Sequence, residues 1–317
     1  MKALHWDGLN LRLQPTYPAP VAGSGMALVR VRFAGICSTD LQILKGYMGF
    51  LGVPGHEFVG EVHEGPSELA GRRVVGEINF ACGRCEFCAR ELGRHCLERK
   101  VMGILGADGS FAEYVKVPEK NLHVVPDSVP DEEAVFTEPL AAAFEILDQT
   151  PPKPGESVVV LGDGKLGFLC AQVLAAAGGS VLVVGKHTAK LARLQKLGIQ
   201  TALLSDWKSR PAGMVVEATG STAGLKLAMA IVEPRGVIVL KSTVAEDHGL
   251  SLAPLVIKEV TVVGSRCGRF APALGALSAK SVSVTPLVDK IYPLTEGVQA
   301  ASHAARPGVS KILLRCS

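Results

Sequence analysis

Val158-Val159-Val160-Leu161-Gly162-Asp163-Gly164-Lys165-Leu166-Gly167 is an apolar run that stops in a glycine turn and continues with helical spacing. A near-continuous run of branched aliphatics reads as a strand buried on both faces. Gly162 permits the tight turn, Gly164 lets backbone approach a pyrophosphate, and Gly167 lets the next helix pack on the strand. The helix start offers free N–H donors to an anion. The glycines alone are weak evidence. With strand, turn and helix in order, the stretch reads as a dinucleotide-phosphate loop rather than a merely structural turn.

The surroundings agree. Ser157 to Leu161 is the strand, Leu166 to Ala177 the helix, and Gly178-Gly179 its stop. Val181 to Val184 reads as a second buried strand, followed by a helix over about Thr188 to Leu197. Met214 to Ala218, Gly236 to Leu240 and Val260 to Val263 supply later strands. Buried strands alternating with helices predict an α/β, doubly wound parallel sheet. The first third differs, with short alternating strands near Ala27 to Phe33, Phe58 to Val62, Arg73 to Val75 and Phe111 to Val117, which predict an antiparallel β domain. At Glu138 the pattern turns helical through Asp148, and Pro151-Pro152-Lys153-Pro154-Gly155 breaks it. Beyond Cys267 a helix and strands at Leu287 to Tyr292 and Lys311 to Leu314 are expected to return to the first domain. The expected division is therefore 1–138 with 267–317, and 139–266.

The second parallel strand ends Val184-Gly185-Lys186-His187, with Lys190 a turn later. An acid at that end holds the ribose hydroxyls of NAD; Gly185, Lys186 and His187 instead suit a 2′-phosphate, so NADP(H) is favoured over NAD(H). The plain alternative is a solvated basic face. Thr219, in Val216-Glu217-Ala218-Thr219-Gly220, follows a strand at the carboxyl edge where ribose contacts are made, or else caps the next helix.

Hydrophobic residues form 48% of the 317-residue chain and charged residues 20%, enough for packed cores. A net charge of +3 spread along the sequence argues against nucleic acid or an anionic membrane surface as partner. The amino-terminal stretch lacks a signal-like apolar core and no run is long enough to span a bilayer, so a cytoplasmic protein is expected.

Four of the eight cysteines, Cys82, Cys85, Cys88 and Cys96, fall within fifteen residues. Four soft ligands on one loop suit a structural Zn²⁺ with a closed sulfur shell; an iron–sulfur cluster is the chemical competitor. A catalytic zinc mixes ligand types and keeps a position open. Its candidates are Cys37 in Gly35-Ile36-Cys37-Ser38-Thr39-Asp40, His56 and Glu57 in Pro54-Gly55-His56-Glu57, and Glu138 in Phe136-Thr137-Glu138-Pro139-Leu140. Each has a plainer reading: core cysteine, solvated His-Glu pair, helix cap. Cys170 and Cys316 read as packing residues. His5, His63, His95, His123, His248 and His303 lack ligand-like context.

In order and spacing, the Cys37 segment, Gly55-His56-Glu57, the four-cysteine lobe, Glu138-Pro139-Leu140 and the glycine loop resemble the zinc-containing medium-chain dehydrogenase/reductase family, in its polyol and sorbitol dehydrogenase-like branch. The resemblance covers essentially the whole chain. It implies a GroES-like β domain plus a Rossmann domain, and hydride transfer between a nicotinamide cofactor and a small alcohol or carbonyl compound. It makes Cys37 and His56 zinc ligands, Glu57 a carboxylate that approaches the metal, and Glu138 a ligand held directly or through water. Thr39 becomes the hydroxyl that takes the substrate proton, and Asp40 the carboxylate orienting the ligand histidine. Arg266 matches a substrate-contacting arginine, with an ordinary salt bridge as the alternative. One catalytic and one structural zinc are expected, in a homo-dimer or homo-tetramer. Two departures stand out. Gln42 occupies the place of a relay histidine, and the chain is short between Cys96 and Phe111. A non-catalytic zinc- and nucleotide-binding redox sensor and a zinc-free quinone or enone reductase are the competing functions.

Overall fold

The computed structural model describes residues 1–243 and 249–317, so His248 lies outside the described residues. The chain divides into two compact units, Met1–Glu138 with Phe270–Ser317, and Pro139–Arg269.

The first unit is built on a seven-stranded sheet. Its order is Leu122–Val124, Arg73–Gly76, Glu57–Glu64, Met26–Gly35, Lys311–Arg315 and Val288–Pro293, with Tyr114–Pro118 also pairing with Met26–Gly35. Met26–Gly35 is its spine. Its Val29 and Val31 are buried with the exposed Arg30 between them, the alternation of a strand with one face on a core. Antiparallel pairing sets Gly35 opposite Glu57, and Leu313 opposite the same Gly35. The Ile36 N–H donates to the Ile312 carbonyl at 3.0 Å. Three chain segments distant in sequence thus converge where the spine strand ends. The strand expected from Phe111 starts only at Tyr114, because the Phe111 carbonyl accepts the Leu4 N–H and Ala112 bridges to Ala3. Ala3–Trp6 and Leu11–Gln14 form an amino-terminal hairpin that the sequence pattern does not announce.

Among the described residues the second unit holds six parallel strands, in the order Gln200–Leu203, Ser180–Gly185, Ser157–Leu161, Ala212–Glu217, Val232–Leu240, Thr261–Gly264. This is the doubly wound Rossmann arrangement, with the direction of winding reversing beside Ser157–Leu161. Val159, Leu161, Val184, Val215 and Ile238 share its core with Ala228 and Met229 of the helix Thr222–Ile231. Gln200–Leu203 escapes the hydrophobic pattern because it is an edge strand, exposed at Gln200 and only half-buried over the rest. Among the described residues no helix is long and apolar enough to cross a membrane.

Candidate active site

Cys37 ends the turn after the spine strand and precedes the short helix Ser38–Ile43. Asp40 fixes that turn, since its Oδ2 accepts the Cys37 N–H at 2.7 Å and its Oδ1 the Gly55 N–H at 3.2 Å. The same Oδ1 stands 3.1 Å from His56 Nδ1, close but without the line of a formed hydrogen bond. One buried carboxylate therefore ties the Cys37 turn to the His56 turn. The ligand atoms of Cys37, His56 and Glu57 lie within 4.8 Å of one another. Thr39 Oγ1 is 3.8 Å from the Cys37 sulfur and half-buried.

The electrostatics of this group call for a cation. Burial opposes charge on His56, yet the Asp40 carboxylate and the Cys37 sulfur beside it prevail, and the imidazole pKa rises well above its usual value. Glu57 is buried and its Oε1 has no partner. Sulfur, imidazole and a carboxylate with an unpartnered oxygen fit zinc in a site of mixed ligands. Glu138, half-buried in the first turn of Thr137–Gln149, is not part of this close group of ligand atoms.

Sequence reasoning missed Lys311. Its ammonium is fully buried and pairs with Glu57 Oε2, with the Phe136 ring 5.6 Å away. Gly35 leaves the room for this pair, since a Cβ there would meet Glu57 Oε2 at 2.4 Å. The available signal is faint, because a lysine opening a strand is ordinarily an exposed end.

In the lobe, sulfur–sulfur distances are 3.5 Å for Cys85–Cys88, 3.7 Å for Cys85–Cys96 and 3.9 Å for Cys82–Cys88. A tetrahedron with bonds of about 2.3 Å has edges of about 3.8 Å, so the four sulfurs fit zinc. Backbone N–H donors favour the thiolate at two of the four: Arg84 lowers the Cys82 pKa, and Cys88 brings Cys85 down to about 6, while burial and the neighbouring thiols push Cys88 itself up to about 11.

The second unit contains a cavity of about 320 Å³ at the carboxyl edge of its sheet. Gly162, Gly164, Gly185, Lys186, His187, Lys190 and Thr219 all line it. Gly162 has φ +117°, and a side chain there would meet the Ala218 carbonyl; a Cβ on Gly167 would meet the Gly162 carbonyl. Thr219 Oγ1 hydrogen-bonds Glu217 Oε1 at 2.5 Å and Ser221 Oγ at 2.9 Å, in the turn before the helix Thr222–Ile231. It thus serves that turn and faces the cavity as well. Asp163, whose role sequence reasoning overlooked, is held by the second strand's turn. Burial alone would raise its pKa, but His187 and two backbone donors outweigh burial and lower it. Arg266 is exposed on the segment after Thr261–Gly264. Its carbonyl accepts from the buried Lys241 ammonium, which also holds the Ala142 carbonyl and Ser265 Oγ.

A nucleotide-binding Rossmann unit and a β unit with two sets of metal-ligating side chains define a metal-dependent, nucleotide-linked oxidoreductase. Residues 23–127 match the model of the alcohol dehydrogenase GroES-like domain, and residues 166–279 that of zinc-binding dehydrogenases. The sorbitol dehydrogenase of Halalkalibacterium halodurans is 31% identical, over 94% of this chain and 93% of its own. A zinc-binding dehydrogenase of Sinorhizobium meliloti, solved with NADP, superposes with a TM-score of 0.91 at 26% identity, covering 99% of this chain and 98% of its own. An alcohol dehydrogenase of Escherichia coli, solved with NADH, gives 0.90 at 25%, covering 99% of each. The chain belongs to the zinc-containing medium-chain dehydrogenase/reductase family and is an NAD(P)-dependent oxidoreductase of alcohols.

Proposed function

We propose that this chain interconverts a secondary alcohol of a polyol and the corresponding ketone, using NADP(H) in preference to NAD(H). One zinc is held by Cys37, His56 and Glu57 and one by the four-cysteine lobe. The observation that carries the reading is the Cys37–His56–Glu57 group within 4.8 Å; the similarity to a sorbitol dehydrogenase supports the polyol class. A zinc-free reductase has no use for that group.

Zinc bound there supplies Lewis acidity toward an alcohol or carbonyl oxygen. The chain's own residues do the rest. Asp40 fixes the His56 ring, so that the nitrogen facing away from Asp40 stays available to the metal. Lys311 draws one oxygen of Glu57 away and leaves the other toward the metal group. The Thr39 hydroxyl, beside the Cys37 sulfur, takes the proton from the alcohol. Gln42 cannot relay it as an imidazole does, so the proton leaves through water or the cofactor ribose. Glu138 adds a carboxylate to the metal directly or through water, and Arg266 contacts the substrate. The glycine loop of Gly162, Gly164 and Gly167 cradles the pyrophosphate, and Thr219 touches a ribose.

A panel of polyols and secondary alcohols with both cofactors, together with a zinc count per chain, tests the proposal. Two zinc ions and turnover of a polyol support it; one zinc and no turnover of any alcohol defeat it. For the cofactor, Lys186→Ala is expected to raise the KM for NADP about tenfold, the loss of one charge-assisted hydrogen bond, and to move that for NAD less than about twofold. An unchanged KM for NADP removes Lys186 from the phosphate site. In the lobe, Cys96→Ser is expected to release one zinc and lower the Tm by on the order of 10 °C. Retention of both zinc ions would show that Cys96 is no ligand.

We further propose a reducing cytoplasmic setting, which keeps the lobe thiols free, and self-association as a homo-dimer or homo-tetramer. Thr261–Gly264 is an edge strand of its sheet, and Val256 and Ile257 nearby are 76% and 80% exposed. Such an edge with apolar neighbours calls for cover. Light scattering that finds a monomer at micromolar concentration would dispose of this assembly.

A further inference from the structure

Asp163 stands between the first two glycines of the phosphate loop, and its side chain is only 8% exposed. Oδ2 accepts the backbone N–H of Lys186 at 2.7 Å and that of His187 at 2.7 Å. Oδ1 lies 2.9 Å from His187 Nδ1. These contacts bridge more than twenty residues of sequence and bind the phosphate loop to the turn that ends the second parallel strand.

Gly185 provides an independent observation. A Cβ built there would meet Asp163 Oδ2 at 2.4 Å, Cβ at 2.5 Å and Cγ at 2.6 Å. The backbone at Gly185 is not left-handed, so its lack of a side chain is a matter of space. The end of this strand is where an NAD site carries its ribose-binding acid. Here the volume is filled by an acid that reaches over from the phosphate loop. A carboxylate has about four lone-pair sites, and three N–H donors already face this one. It therefore cannot offer a ribose the two free acceptors of a strand-end acid.

We infer that Asp163 is a positioning residue that sets cofactor specificity, clamping the Lys186–His187 turn so that the ammonium groups of Lys186 and Lys190 and the ring of His187 face an adenosine 2′-phosphate. The inference rests on the NADP(H) reading above. With Nδ1 turned to Asp163, the His187 ring keeps Nε2 for the ligand. The carboxylate, meanwhile, spends its charge on N–H donors instead of repelling the phosphate.

Titration calorimetry of the zinc-loaded protein with NADP⁺ and with NAD⁺ tests it, on wild type, Asp163→Ala and Asp163→Asn. Wild type should bind NADP⁺ more tightly. Asp163→Ala should weaken NADP⁺ about tenfold, the order expected for lost charge-assisted hydrogen bonds, and NAD⁺ less than about threefold. Asp163→Asn, which keeps an acceptor oxygen, should recover part of the loss. Equal weakening of both cofactors would make Asp163 merely structural and overturn the inference. So would a larger loss for NAD⁺, the mark of a ribose-binding acid, or no change in the ratio. Should Asp163→Ala fail to fold, the double variant Asp163→Gly/Gly185→Asp moves the acid to the strand end without the clash. Its preference should turn to NAD⁺, and a retained NADP⁺ preference overturns the inference. A wild type that prefers NAD⁺ sinks the cofactor reading and the inference together. An NADP⁺-preferring wild type with an unmoved ratio in Asp163→Ala sinks the inference alone.

Discussion

Serine in place of Cys37, or alanine in place of His56, is expected to lower kcat/KM for the alcohol by at least about a thousandfold. That is about 4 kcal/mol of transition-state stabilisation, within what a bound metal supplies. The same variants should lose one of two zinc ions and keep the fold. Serine is close to cysteine in size, and the Asp40 bond that shapes the turn is made to the Cys37 backbone N–H, which the substitution leaves in place. What changes is the ligand, from a soft thiolate to a neutral hydroxyl that zinc binds poorly. His56→Ala removes the ring that Asp40 orients and opens a space beside Glu57, so its Tm should fall further than that of Cys37→Ser. Metal analysis and steady-state kinetics on the same preparations decide the matter. A Cys37→Ser protein that retains two zinc ions and a rate within tenfold of wild type would take Cys37 out of the site. Cys96→Ser should invert the pattern, losing stability first and rate only as the lobe loosens.

Which parts of the molecule were legible follows from what each residue does. The Rossmann strands announce themselves because a strand buried on both faces has to be apolar throughout, as Val158 to Leu161 is. Gln200–Leu203 sits at the edge of that sheet, where half its surface is wet, and leaves no such run. The metal-ligand candidates were legible as residue types at family spacing, and Cys37, His56 and Glu57 do converge, through the register that sets Gly35 against Glu57. Glu138 sits on another helix and stays outside that close group. Lys311 and Asp163 were not legible for a common reason. Each is a charged residue in a place where charge is ordinarily solvated, and each is buried by a partner hundreds or tens of positions away. Periodicity carries no information about such pairs. Asp163 did leave one trace, an acid within a loop whose purpose is to hold an anion.

Methionine in place of Lys311 is the sharpest test of the buried pair, and we expect it to destabilise the metal-free protein by about 3–5 kcal/mol, the cost of leaving a buried charge without its partner. Glu57 would have nowhere to turn. Its Oε1 already lacks a partner, Oε2 would lose the ammonium, and the carboxylate is packed directly over Gly35. Methionine is close to lysine in length and fills the apolar space beside Phe136, so the loss reports charge rather than a cavity. For a unit of this size the effect corresponds to a Tm lower by roughly 6–20 °C. Zinc should restore part of it, since a metal held with Cys37 and His56 would put a second positive charge beside Glu57. Glu57→Gln combined with Lys311→Met should restore most of it even without metal, because the charge that had to be compensated is gone. Thermal unfolding with and without a chelator reads all three proteins. If metal-free Lys311→Met unfolds within 2 °C of metal-free wild type, or if the double variant is no better than the single, Glu57 does not depend on Lys311 for its place beside Cys37 and His56.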